Sequence, residues 1–199
     1  MTTILLSGDP GSGKTSVVET LTRTAKSPVF GVLSPAVGSA GGRRGIAVRL
    51  IPTGSTRTLA VLARRTGDER GAALLGDAVS TAPVPGAISL GPWDFDPSAI
   101  DAANRHLCDY SGASPVVIDE VGPLELRHHG GFLPGLRCVL ATASPVILVV
   151  RPGLLEVLRS SFGSILPPRP IPSIHPMTME GPEDISPTVS EILAMLERS

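Results

Sequence analysis

Glutamine is absent from this 199-residue chain, asparagine occurs once, as Asn104, and lysine only as Lys14 and Lys26 among 17 basic residues. Without glutamine, a nucleotide hydrolase of the small-GTPase kind, which orients its water with that side chain, is excluded. The single asparagine is followed by Arg105, His106 and Leu107, so the guanine-reading pattern Asn-Lys-x-Asp is excluded as well. Cysteine is scarce too. Cys108 and Cys138 form no CxxC pair and have no ligand cluster beside them, which predicts neither a disulfide framework nor a zinc site, but two small buried or half-buried apolar residues. Long apolar runs are missing: residues 146–150 are far too few to span a bilayer, and the first seven residues lack the basic flank of a signal peptide. A soluble, cytoplasmic protein is expected. Net charge is also near zero, at -1, which gives no general attraction to nucleic acid or to an anionic membrane. Any phosphate binding must be local.

What is present suits one folded domain over residues 1–199, with 42% hydrophobic and 18% charged residues. Gly and Pro, at 22 and 20, predict many sharp turns. Residues 3–7 read as a strand that meets a glycine-rich turn, after which Val17, Val18 and Leu21 recur at helical spacing. Short β-branched stretches within 29–62, broken by glycine-rich turns, predict an inserted β-meander. Residues 66–91 are poor in periodicity and read mainly as loop. Asp96 followed by Pro97 is a helix start, an N-cap oxygen before a residue with preset φ. Residues 115–119 and 146–151 read as buried parallel strands, with helices over 132–141 and 153–160. A proline-rich crossing segment, 163–185, precedes a terminal helix over 186–198 with Val189, Ile192, Leu193 and Leu196 on one face. Strands alternating with helices predict an α/β fold, a mostly parallel sheet covered on both faces.

The segment Gly8, Asp9, Pro10, Gly11, Ser12, Gly13, Lys14, Thr15 fits the Walker A pattern G-x-x-x-x-G-K-[ST] at every fixed position. It stands where that pattern must stand, between a strand and a helix. Glycines let the backbone wrap a polyphosphate, and the helix start, including Ser16, adds unpaired N–H donors. Lys14 brings charge to the β- and γ-phosphates, and the Thr15 hydroxyl reaches Mg²⁺. A second metal carboxylate belongs at the C-terminal end of a neighbouring strand, which is where Asp119 stands. Glu120, next in sequence, is the available base for water. Arg151 ends another strand and is placed to meet transition-state charge if that strand neighbours the P-loop strand. Arg43 and Arg44, in a glycine-rich turn, are weaker candidates, and His128 and His129 read as exposed rather than metal-bound.

With these pieces in place, the chain resembles the THEP family of small nucleoside-triphosphatases. The carrying residues are Gly8 to Thr15, Phe30-Gly31-Val32-Leu33, Gly42-Arg43-Arg44-Gly45-Ile46 and, above all, Ile118-Asp119-Glu120-Val121-Gly122-Pro123-Leu124-Glu125-Leu126. The last is similar to the family's Asp-Glu-Ile-Gly-x-x-Glu-Leu signature. The resemblance implies a RecA-like P-loop fold and slow, base-promiscuous, Mg²⁺-dependent hydrolysis of ATP, GTP or another nucleoside triphosphate to the diphosphate. It carries phosphate, metal and base roles to Lys14, Thr15, Asp119 and Glu120, and puts Arg43 on a basic position of the meander. Ser34-Pro35-Ala36 departs from it, since many members are acidic there. Two other readings share the P-loop. A small-molecule or nucleotide kinase could use Arg64, Arg65 and Arg70 as a phosphate-gripping lid, and an accessory or regulatory factor could use the nucleotide as a signal. No nucleic-acid or membrane partner is indicated, and a protein partner is not legible.

Overall fold

Val116, Val117, Ile118 and the run 146–150 have no polar side chain, so they can only be strands covered on both faces. A computed structural model, which describes residues 2–39, 42–63, 84–142, 144–167 and 174–198, places them side by side at the centre of a ten-stranded sheet. Five strands run parallel, in the order β10 (Ile174–Met179), β1 (Thr3–Gly8), β9 (Val146–Val150), β8 (Val116–Val121) and β2 (Phe30–Leu33). The expected mostly parallel α/β sheet is therefore present.

Alternation along these strands sorts the core into two layers. Ile4, Leu6, Val117, Ile147 and Val149 face helices α1 (Lys14–Thr24) and α6 (Ile185–Leu196). Leu5, Ile118 and Leu148 face the other side, where α2 (Pro97–Cys108) and α4 (Leu133–Leu140) pack together. Asp96 caps α2 as expected, its carboxylate accepting the Ser98 N–H at 2.8 Å. Gly31 holds the β2–β8 contact close: a Cβ there would lie 1.9 Å from the Val117 carbonyl oxygen. Only glycine fits so near a neighbouring backbone.

The meander leaves the far edge of β2. Strand β4 (Gly42–Ile51) is long enough to pair antiparallel with β2 through its second half and with β3 (Ala36–Ser39) through its first. Strands β5 (Thr56–Leu62), β7 (Trp93–Phe95) and β6 (Ile88–Leu90) continue the sheet outward.

Three sequence expectations need correction or extension. Residues 88–90, read as loop, form β6, a strand too short to show periodicity. Residues 66–83 of that stretch, and with them Arg64, Arg65 and Arg70 of the suggested lid, lie outside the described residues. Within 163–185, strand β10 joins the sheet beside β1, where Pro176 is tolerated because an edge strand needs ladder bonds on one side only. Cys108 and Cys138 are bonded to one another, against the expectation of no disulfide: packing of α2 on α4 brings their Cα atoms to 5.1 Å. Among the described residues no helix is long and apolar enough to cross a membrane.

Candidate functional site at the P-loop

Strand β1 delivers the chain into the glycine loop and α1 takes it away. The turn closes at Gly13, whose φ of 94° is a left-handed conformation that a side chain disfavours. No side chain caps α1, so the first-turn N–H groups of Lys14, Thr15 and Ser16 face the loop. These are donors for an anion. Lys14 is folded back over the same loop, its ammonium donating to the carbonyls of Gly8 at 2.6 Å and Asp9 at 2.7 Å, and to Ser12 Oγ at 3.5 Å. Burial holds it below the usual lysine range, against the opposing pull of Glu120 and Asp119.

Two strands over, β8 ends in the acidic pair, and the two carboxylates have different surroundings. Asp119 is buried, 2% exposed, and accepts the Ser34 N–H at 3.2 Å and the Thr15 hydroxyl. Burial pushes its pKa up to about 6, with Glu120 adding to the rise, while Ser34, Thr15 and Lys14 oppose it. A carboxylate so placed, joined to a hydroxyl, is a pair of hard oxygen donors. Glu120 turns the other way, half-buried, and its Oε1 accepts the Arg151 Nε–H at 2.6 Å. Arg151 stands there because β9 lies between β1 and β8. The condition set for Arg151 is met, but in this structure its partner is Glu120.

Lys14, Thr15, Asp119, Glu120 and Arg151 thus converge at the C-terminal ends of three adjacent parallel strands, where ligands of open α/β sheets gather. Arg43 and Arg44 lie on β4, with their side chains outside the described residues. His128 and His129 are exposed. Sequence reading gave no role to Glu125, which is 4% exposed and accepts two N–H groups, from Gly122 at 2.8 Å and Phe132 at 2.9 Å. Its position three residues after Gly122, at the start of the short helix α3 (Pro123–Leu126), is the capping-box spacing that could have found it.

A family model described as NTPase matches residues 3–163. Two solved structures are similar along nearly the whole chain. The solution structure of a human cancer-related nucleoside triphosphatase aligns with a TM-score of 0.69 at 21% identity, covering 100% of this chain and 99% of that one. The crystal structure of THEP1 from the hyperthermophile Aquifex aeolicus aligns with a TM-score of 0.63 at 17% identity, covering 98% and 99%. A search of curated proteins finds no match. The structural likenesses show the fold, and the family match, over far more than half of the chain, shows that this protein belongs to the NTPase family of P-loop enzymes acting on nucleoside triphosphates.

Proposed function

We propose that the chain hydrolyses nucleoside triphosphates to diphosphates with Mg²⁺, that Glu120 takes the proton of the attacking water, and that the base is read weakly. The convergence of two unlike carboxylates on one P-loop carries this reading: Asp119 is turned toward Thr15 and Glu120 away from it.

Lys14, now held by the carbonyls of Gly8 and Asp9, exchanges them for the β- and γ-phosphate oxygens. The oxygens of Thr15 and Asp119 fit Mg²⁺, which prefers hard oxygen donors, and these two residues would hold it beside the phosphates. When bound, the cation offsets negative charge on the phosphates. Arg151 is drawn by the incoming γ-phosphate, and as it leaves Glu120 the carboxylate is freed to orient and deprotonate water. The pairing of Arg151 with Glu120 therefore keeps the base engaged until a triphosphate arrives.

Glu120→Gln preserves shape and removes the base. Turnover is expected to fall by about 10² to 10⁴ while nucleotide affinity, read by calorimetry, holds. Normal turnover in this variant, beside a Lys14→Ala variant that no longer binds nucleotide, would sink the water-activation mechanism.

A further inference from the structure

A cavity opens directly beyond Glu120. Its volume is about 90 Å³, and its walls include Ile46, Leu59, Phe95, Ile100, Leu124 and Phe132, drawn from the meander, α2 and the segment after β8. Its polar lining is Glu120, Arg151, Ser34 and Glu125, whose carboxylate already accepts the Gly122 and Phe132 N–H groups. Ser34 is 8% exposed, and its hydroxyl has no hydrogen-bond partner among the described residues, although its N–H is committed to Asp119. A buried hydroxyl left unmet is costly, and a ligand group placed beside it would remove that cost.

The polar lining and the apolar body ask for one kind of molecule. Water alone has no use for a wall of six apolar side chains. A phosphorylated acceptor finds no spare cation here, since Arg151, the one cationic residue among the described lining, is on the mechanism proposed above taken by the γ-phosphate of the nucleotide. By comparison with the roughly 150 Å³ apolar cavity that holds benzene, this one takes about four carbon atoms.

We propose that this cavity is an acceptor site for a small apolar alcohol, or for the apolar end of a larger one, and that the enzyme transfers the γ-phosphoryl group to its hydroxyl. The step uses the site as read above and rests on that reading, with the alcohol in the place of water. Its oxygen bonds to the γ-phosphorus as the bond from that phosphorus to the β–γ bridging oxygen breaks. The diphosphate leaves with the electron pair, and the hydroxyl proton passes to Glu120. The products are a nucleoside diphosphate and an alkyl phosphate, with hydrolysis as the outcome when the cavity is empty.

The test incubates the wild-type protein with Mg²⁺, ATP and 1-butanol, and separates butyl phosphate from inorganic phosphate by ³¹P NMR. The ester-to-phosphate ratio is expected to exceed the butanol-to-water mole ratio by at least about tenfold, the least that burying one methylene contributes to selectivity. Butanone, which lacks the hydroxyl, should compete with butanol, lowering the yield of butyl phosphate, and give no ester of its own. Leu90 lines the cavity as well. Ile46→Phe and Leu90→Trp each fill it from a half-buried position, and both should bring the ratio down to the mole ratio while phosphate release, which reports the fold, continues. A ratio at the mole value in wild type, with hydrolysis intact and dependent on Glu120, overturns the acceptor site alone. An enrichment unchanged in both filled variants also overturns it. Hydrolysis that is absent, or indifferent to Glu120→Gln, sinks the reading of the site and this inference with it.

Discussion

Both cationic groups at the P-loop end are held by neighbours of opposite polarity. Lys14 is taken by two carbonyls of its own loop, and Arg151 by Glu120. On the proposed mechanism Arg151 has two partners in turn, and its removal should act on the rate more than on affinity, because charge on the γ-phosphoryl group grows toward the transition state. For Arg151→Ala, kcat is expected to fall at least about tenfold while nucleotide Kd stays within about threefold, as measured by steady-state kinetics and calorimetry. An unchanged kcat returns Arg151 to the role of a surface partner for Glu120. At this scale the sequence is most legible where chemistry fixes spacing. The loop from Gly8 to Thr15 and the pair Asp119-Glu120 are readable because the phosphate and metal roles proposed for them demand those residue types next to each other. The Arg151–Glu120 contact is not, since the residues stand 31 apart and meet only through strand order. The Cys108–Cys138 bond is hidden for the same reason: nothing in the spacing of two lone cysteines tells that α2 lies on α4.

Among the elements, the short turn of α3 depends most on one side chain. The Glu125 carboxylate ties the Gly122 N–H before α3 to the Phe132 N–H before α4, and so fixes the segment that follows Glu120. Burial pushes its pKa up to about 7 against the lowering effect of those two N–H bonds. A carboxyl whose folded pKa exceeds its unfolded value binds more protons when folded, so its stability contribution is full below about 4.5 and is lost as pH rises through about 7. The Tm of the wild type should thus decline, relative to Glu125→Gln, as pH rises from about 4.5 to 7. A Tm difference independent of pH refutes the assignment. Element-level reading from sequence reaches α1, α2, β8 and β9, whose caps or unbroken apolar runs are strong signals. It misses β6 because three residues show no period, and α3 because one turn shows none either.

For the molecule as a whole, every side chain assigned a role lies at the phosphate end, and the chain's single asparagine, a residue type of the guanine-reading pattern, is occupied elsewhere. Asn104 donates to the Gly131 carbonyl at 2.9 Å and accepts the Gly135 N–H at 2.9 Å, which spends its amide on joining α2 to the start of α4. Steady-state rates on ATP, GTP, CTP and UTP are therefore expected to lie within about tenfold, roughly 1.4 kcal/mol. A preference of several orders of magnitude for one base would contradict that expectation. The order of the strands also governs how the chain comes to be assembled. β1 is made well before its two neighbours, β9 and β10, with Thr3 set against Val146 on one side and Ile174 on the other. Ile185, at the start of α6, stands 3.1 Å from where a Gly13 side chain would begin. On the ribosome, the phosphate loop would therefore wait as an unpaired hydrophobic strand and a loose turn until β9 and β10 have emerged. A motif translated ahead of its partners is completed only after them, and a nascent chain that lacks them has no folded nucleotide site to serve as a template for the rest of its synthesis.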